Sequence, residues 1–334
     1  MKAFHIDAAT GLDGLVLREA PVPRPGRGEA LIRVHARSLN YRDHLILKGA
    51  YPVPVVPGVV ALSDGAGEVV EIGPEVTHVA VGDRVMATYF PQWIDGRFAM
   101  RFAAEQFGCT RDGMLASFVT ASEASLVKIP PHLSYEEAAA LPCAALTAWS
   151  ALVGPRPIIP GETVMTIGTG SVALFALQFA KLFGARVIAL TSKQDKTGRL
   201  TELGAHDVIN YGSTPDWSST VREVTDGRGV DHVVETGSLG TFTQSVASTA
   251  EEGVVNLVAA LGNGTVDVQM FRNAVTIRRI YVGSRASFET MSRAITAHGL
   301  RPVVDRVFAF GEAKEAFRYS EARRQFGKVV IAGD

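Results

Sequence analysis

Apolar and polar positions along the 334-residue chain follow three successive regimes. Up to about residue 122 they form short alternating or β-rich stretches, Lys2–Ile6, Glu29–Arg37, Gly67–Ile72 and Arg84–Thr88. Joints such as Pro21-Val22-Pro23-Arg24-Pro25-Gly26 separate them. This pattern predicts a β-rich domain with few helices. One helix is expected over Asn40–Leu47, stopped by Gly49 and Pro52, and Phe90–Gly113 reads as a loop-rich excursion without periodicity. Pro130–Leu152 reads as helical, with Glu136 and Glu137 where acids suit the helix dipole.

From Thr163 onward strands alternate with helices. Thr163–Ile167 and Arg186–Thr191 read as buried strands around an apolar helix, Val172–Phe183, that Gly184 ends. Further helices are expected over Lys196–Leu203, Trp217–Thr225, Thr241–Ala250 and Phe288–His298. Further strands are expected over Val208–Asn210, Val230–Glu235, Gly253–Ala259 and Arg279–Gly283. The alternation predicts an α/β fold with a doubly wound parallel sheet of about six strands. The third regime holds extended Val303–Phe310, a helix over Glu312–Arg323 and a strand over Lys328–Ala332. This tail is expected to return to the first domain. The expected domains are therefore residues 1–122 with 299–334, and residues 123–298.

Between the first strand of the parallel sheet and its helix lies Gly168-Thr169-Gly170-Ser171-Val172-Ala173. In a G-x-G-x-x-G/A turn the first glycine permits the turn and the second lets the main chain approach a pyrophosphate. The helix N–H groups then face the anion. Ala173 in the third position is small enough for close helix–strand packing. Set between a strand and a helix, the motif marks a dinucleotide site. The second strand ends Thr191-Ser192-Lys193, without the acid that usually holds an unmodified ribose. Ser192 and Lys193 suit a 2′-phosphate, so NADPH is expected over NADH. Lys193 also fits a plain solvated loop lysine, and nearby Asp195 is expected to cap the next helix.

A net charge of −1 suggests no nucleic-acid partner. No apolar run is long enough to span a bilayer, and the start MKAFHIDAATG lacks a signal-peptide core, so a cytoplasmic location is expected. Cys109 and Cys143, the only cysteines, form no disulfide framework and cannot make a four-cysteine zinc site.

Taken together, Leu62-Ser63-Asp64-Gly65-Ala66-Gly67-Glu68-Val69-Val70-Glu71-Ile72-Gly73, Val81-Gly82-Asp83-Arg84-Val85, Leu141-Pro142-Cys143-Ala144-Ala145-Leu146-Thr147-Ala148-Trp149, Leu203-Gly204-Ala205 and Phe326-Gly327-Lys328-Val329-Val330 resemble the medium-chain dehydrogenase/reductase superfamily over nearly the whole chain. The resemblance implies a GroES-like β domain plus a Rossmann domain, with the active site in the cleft between them, and a homodimer. It puts Thr147 by the nicotinamide and Tyr211 near the adenosine phosphate. It sets Thr236-Gly237, Ala260-Leu261-Gly262 and Val282-Gly283-Ser284 at strand ends facing the cofactor. Ser171 departs from it, standing where relatives often have glycine.

Zinc-dependent relatives bind their metal with Cys, His and Cys and keep a Gly-His-Glu motif. Here the matching positions are Asn40, Ser63 (in Leu62-Ser63-Asp64) and Cys143. One thiolate cannot hold a tetrahedral zinc, and no spacing makes His35 or His44 a ligand partner of Cys143. Cys143 also fits a small buried core residue. The chain thus resembles the zinc-independent branch of quinone oxidoreductases and enoyl reductases, with no metal expected.

Hydride addition to the β-carbon of an enone or quinone makes an enolate, which hydrogen-bond donors can stabilise and a proton can quench. Small-molecule quinones or conjugated carbonyls are therefore the expected substrates. In related enoyl reductases the proposed proton donor is a tyrosine in Gly-x-Tyr, matching Gly49-Ala50-Tyr51 here. Tyr41 competes with Tyr51 for this role, and Asn40 and Arg42 are expected to orient or polarise the carbonyl. Tyr51 also fits a packing aromatic, and Asp43 and Asp64 fit anchoring by hydrogen bonds. Loops over Tyr89–Gly113 and Arg285–Met291 are expected to line the substrate site. Two other readings stay open: an alcohol dehydrogenase-type carbonyl reductase, and an NADPH-binding structural or sensor protein with little turnover.

Overall fold

The computed structural model describes residues 1–258, 265 and 274–334. Contacts divide the chain into two units, Met1–Leu146 with Val282–Asp334, and Thr147–Tyr281.

The first unit carries β1 (Lys2–Ile6), β2 (Leu15–Glu19), β3 (Glu29–Ser38), α1 (Tyr41–Leu47), β4 (Val59–Val60), β5 (Asp64–Ile72), β6 (Arg84–Ala87), β7 (Phe118–Ser122), β8 (Leu126–Lys128) and α2 (Tyr135–Ala138). The second carries most of α3 (Leu146–Leu152), then β9 (Thr163–Ile167), α4 (Ser171–Leu182), β10 (Arg186–Thr191), α5 (Thr197–Leu203), β11 (Asp207–Asn210), α6 (Trp217–Val224), β12 (Val230–Glu235), α7 (Leu239–Ser248), β13 (Thr249–Leu257) and β14 (Thr276–Arg279). The chain then returns to the first unit with α8 (Arg285–His298), β15 (Val304–Ala309), α9 (Ala313–Glu321) and β16 (Lys328–Ala332).

In the second unit the parallel strands run in the order β11-β10-β9-β12-β13-β14. Order therefore reverses between β9 and β12, the switch point outside which such sheets bind their ligands. Every residue of β9 and β12 is buried, as expected for strands covered on both faces. On α4, Ala173, Leu174, Phe175, Ala176, Leu177, Phe179 and Ala180 are buried, and Phe175 and Phe179 stack with ring centroids 6.0 Å apart. Burying the leucine and phenylalanine side chains of α4 stabilises the fold by roughly 1.5–3 kcal/mol each.

In the first unit β15-β16-β3-β5-β6-β8 form one sheet, with β7 also pairing β3, and β2-β1-β4 form a smaller one. Arg37 on β3 is fully buried and donates to the carbonyls of Val34, Met114, Ala116 and Gly333. Burial pushes its guanidinium down to about 9. Those four acceptors compensate it, and the bond to Gly333 ties the last residues to β3. A Cβ on Gly67 would lie 2.2 Å from the Arg33 carbonyl, so the β3–β5 approach demands glycine there.

The expected domain limits, at 122/123 and 298/299, differ from these units. Residues 123–146 and 282–298 group with the first unit. Residues 123–146 stay with the first unit because β8 pairs β6 and the Cys143 N–H bonds Asp64, and residues 282–298 because the first N–H groups of α8 bond the carbonyls of Trp93 and Ile94. Helix formation begins at Arg285, so Arg285–Met291 is about the first two turns of helix and not a loop. The last parallel strand is Thr276–Arg279 and not Arg279–Gly283, because its register is set by pairing Val254–Leu257 of β13. Pro130–Leu152 is broken into α2, a π-turn over Leu141–Ala145 and α3. The expected strand end at Ala259 lies outside the described residues.

Candidate active site

In the second unit β9 ends at Ile167 and the chain turns through Gly168, whose φ of +85° lies in the left-handed region that glycine adopts freely. Gly170 is the N-cap of α4 and supplies no side-chain cap, so the first helical N–H groups stay available to an anion. A Cβ on Gly170 would meet nothing within 4 Å, which leaves room for a pyrophosphate against the main chain. Ser171 and Val172 open the helix and are partly buried. Thr236, after β12, donates its hydroxyl to the Ile167 carbonyl and locks the two strand ends together. The buried Glu235 carboxylate accepts from the Gly237 N–H at 2.7 Å and the Thr241 hydroxyl at 3.0 Å, fixing the Thr236-Gly237 turn. These features fit a nicotinamide dinucleotide.

Around the end of β10, Ser192 and Lys193 are exposed, and the Lys193 N–H donates to the Thr191 hydroxyl at 3.1 Å. Another lysine, missed in the sequence, reaches the glycine turn: Lys196 is 7% exposed and its Nζ donates to Thr169 Oγ1 at 3.1 Å. Asp195 does not cap α5. A 3₁₀ turn over Gln194–Lys196 intervenes, so Lys196 stands at the N-cap and Asp195 one residue before it. Tyr211 bonds the Thr191 carbonyl through its N–H and packs on the core beside β11, while Thr147 is buried in α3. Val282, Gly283 and Ser284 do not end a strand, and the Ser284 hydroxyl accepts from Ser287 N–H as the cap of α8. Leu261 lies outside the described residues.

In the first unit Asn40, Ser63, Asp64, Cys143 and Lys328 come together. Lys328 is 1% exposed and its ammonium donates to the Leu39 carbonyl at 2.9 Å, Asn40 Oδ1 at 2.8 Å and Asp64 Oδ2 at 3.5 Å. Asp64 is fully buried and also accepts from Ser63 Oγ at 2.7 Å and the Cys143 N–H at 3.1 Å. Burial, reinforced by Asp64, pushes the Cys143 thiol up, so it stays protonated. The positions matching the zinc ligands therefore do not fit the metal. The Asn40 oxygen already accepts from an ammonium, which repels a second cation, and the Ser63 hydroxyl is spent on Asp64. Among the described residues no group of three or more His, Cys, Asp or Glu is placed to hold a metal ion. His44 is occupied with Ser320, 3.1 Å away.

Beside this cluster α1 points Arg42 at two tyrosines. The guanidinium carbon lies 5.2 Å from the Tyr51 ring centre and 4.8 Å from that of Tyr89. Arg42 is 7% exposed, donates to the Phe107 carbonyl at 2.9 Å and lies 3.7 Å from Asp43. Its Nε and Nη2 have no hydrogen-bond partner among the described residues. Asp43 accepts from the Asn40 N–H at 2.7 Å, and burial pushes its carboxyl up to about 6, with Arg42 offsetting only part. Tyr51 Oη is 2.9 Å from Tyr89 Oη and 2.8 Å from Gln106 Oε1. The structure thus joins Asn40, Arg42 and Tyr51 to one neighbourhood, together with Tyr89, Gln106 and Lys328. It leaves Tyr41 outside, 59% exposed and stacked under Arg323. Tyr89 and Gln106 lie within the span Tyr89–Gly113 expected to line the substrate site, but without periodicity no pattern singles them out. Lys328 lies within a motif that carried the resemblance.

A doubly wound sheet with an open glycine turn at its switch point, in one chain with a GroES-like β unit, defines an oxidoreductase that uses a nicotinamide cofactor. Residues 26–131 match the family described as alcohol dehydrogenase GroES-like domain, and residues 171–297 the one described as zinc-binding dehydrogenase. A zinc-type alcohol dehydrogenase-like protein of Schizosaccharomyces pombe is 39% identical, over 98% of each chain. A quinone oxidoreductase of Pseudomonas aeruginosa is 28% identical, over 99% of each. Among solved structures, one of a putative alcohol dehydrogenase from Sinorhizobium meliloti superposes with a TM-score of 0.93 at 36% identity, covering 99% of this chain and 98% of that one. A mycobacterial protein complexed with NADPH gives 0.83 at 28% identity, with 100% of both chains covered. The chain belongs to the medium-chain dehydrogenase/reductase superfamily. Among the described residues no helix is long and apolar enough to cross a membrane.

Proposed function

We propose that this protein is an NADPH-dependent oxidoreductase that reduces a quinone or an α,β-unsaturated carbonyl without catalytic zinc. The observation that carries the reading is the Lys328 ammonium bonded to Asn40, which matches a metal-ligand position of zinc-dependent relatives, and to Asp64, the neighbour of a second such position, Ser63. A site without a Lewis acid suits acceptors whose charge spreads into an enolate better than ketones that yield a localised alkoxide.

The bound nicotinamide supplies the hydride. Gly168, Gly170 and the first N–H groups of α4 hold the pyrophosphate, and Thr147, Ser171, Val172, Tyr211, Thr236 and Gly237 complete the cofactor contacts. Ser192, Lys193 and Lys196 receive the 2′-phosphate, and Lys196 also bonds the turn through Thr169. Val282, Gly283 and Ser284 remain part of the proposed binding set. Tyr51 gives its hydroxyl proton to the reduced substrate, and Asn40 and Arg42 orient and polarise the carbonyl. With this reading go a homodimer and a cytosolic setting. The quinone oxidoreductase of Pseudomonas aeruginosa, similar over the whole length, favours the acceptor class named here.

The test is NADPH oxidation with a panel of quinones and enones, in the presence of a chelator. Turnover that survives the chelator is expected. Turnover abolished by the chelator and restored by zinc overturns the zinc-free reading and favours an alcohol dehydrogenase-type reductase. Tight NADPH binding with no turnover favours a structural or sensing role.

A further inference from the structure

The tyrosine pair near Arg42 forms a closed triangle with Gln106, and the triangle is short of protons. Tyr51 Oη is 2.9 Å from Tyr89 Oη and 2.8 Å from Gln106 Oε1, and Tyr89 Oη is 3.1 Å from the same Oε1. The Gln106 amide cannot turn its NH₂ inward, because Nε2 donates to the Ala103 carbonyl at 2.7 Å. Oε1 therefore only accepts. Two hydroxyl protons serve three contacts, so one edge of the triangle always lacks a hydrogen. If both hydroxyls point at Gln106, the two phenolic oxygens face each other unbridged. If Tyr51 points at a substrate, Tyr89 chooses between Gln106 and Tyr51.

We propose that Tyr89 sets the acidity of Tyr51, donating its hydroxyl hydrogen to the Tyr51 oxygen as that oxygen gives up its own proton. This deepens the reading above and rests on Tyr51 being the proton donor. In the step the Tyr51 O–H bond breaks, its proton goes to the substrate enolate, and the electron pair stays on Tyr51 Oη as a phenolate. The Tyr89 O–H swings from Gln106 Oε1 to Tyr51 Oη. Tyr51 is only partly buried, so solvent returns its proton after the product leaves. Tyr89 and Gln106 are 4% and 1% exposed, which shields the pair from competing water. Tyr89 is thus a positioning residue, and Gln106 its counterweight, because Oε1 competes for the same hydrogen.

The charged and titratable groups around the triangle are Arg42 and Asp43 of α1, Cys109 beside Arg42 and Cys143 beside Tyr89. Arg42 lies over both rings and favours the phenolate. Burial pushes both thiols up, and Asp43 up only to about 6, so Asp43 titrates on the acid side of the profile.

The experiment is the pH profile of kcat in five proteins: wild type, Tyr89→Phe, Gln106→Met, Tyr51→Phe, and the double variant Tyr51→Phe/Tyr89→Phe, which is read against Tyr51→Phe. Tyr89→Phe removes the donor to the phenolate. It is expected to move the basic limb up by about one pH unit and to lower kcat at neutral pH about tenfold with KM unchanged. Gln106→Met removes the competing acceptor and is expected to move the limb down. In the Tyr51→Phe background the loss of the Tyr89 hydroxyl is expected to change nothing. An unmoved limb, two shifts of the same sign, or a Tyr89→Phe effect that persists without the Tyr51 hydroxyl overturns the inference. Wild-type turnover in Tyr51→Phe alone overturns the parent assignment of Tyr51 and is read separately. Gln106→Met keeps the test decisive if Tyr89→Phe does not fold.

Discussion

The glycine turn of the second unit and the tyrosine–arginine neighbourhood of the first present their polar groups in opposite ways. The turn is made by consecutive residues, Gly168 to Ala173, and offers main-chain N–H groups that need only the right backbone angles. The tyrosine neighbourhood draws side chains from α1, from Tyr51 and from both ends of the Tyr89–Gln106 loop, and its neighbour cluster adds Lys328 from β16. The contrast teaches where polar groups are spent. The turn leaves donors open. The Asn40–Asp64–Lys328 cluster spends its charged groups on one another, with only Asn40 Nδ2 left without a hydrogen-bond partner among the described residues, and the tyrosine triangle sits between these extremes, one hydrogen short.

The largest expected effect tests the closed cluster. Lys328→Met leaves the fully buried Asp64 without its ammonium and should lower unfolding free energy by roughly 3–5 kcal/mol in denaturant titration. A loss near zero would mean that the cluster is not held by charge. Next comes Asp43, whose carboxyl is pushed up to about 6 by burial. Folded Asp43 keeps its proton where the unfolded chain has lost it, so stability is expected to fall as pH rises from about 4 to 6, then level off. The drop is about 3 kcal/mol at about 1.4 kcal/mol per pH unit, and Asp43→Asn should flatten it.

How much of this was legible in the sequence follows the same divide. The glycine turn and α4 are readable because each is fixed by neighbours in the chain, and the parallel sheet because the alternation of strands and helices implies it. Asp195 is not a cap because a 3₁₀ turn delays α5, and that turn also brings Lys196, which no sequence signal marks, to Thr169. The last strand of the sheet was set by pairing with β13, which no local pattern encodes. The loss of metal ligands at Asn40 and Ser63 was visible, but the lysine that fills their neighbourhood was not, since 288 positions separate Lys328 from Asn40. Tyr89 and Gln106 had no periodic signal at all.

A smaller effect sharpens the open side of the comparison. Lys196→Met is expected to weaken NADPH binding about tenfold and NADH binding much less, as fluorescence titration of each cofactor would show. Equal weakening of both would assign Lys196 to holding the turn through Thr169 and not to the phosphate.

On the proposed reading Tyr51 protonates a substrate reduced without zinc. The most direct measurement is kcat of wild type and Tyr51→Phe side by side, on the best quinone or enone, with chelator present. The account predicts chelator-resistant turnover in the wild type and a loss of about a hundredfold in Tyr51→Phe with KM little changed. Equal turnover in the two proteins, or turnover that disappears with the chelator and returns with zinc, would contradict it.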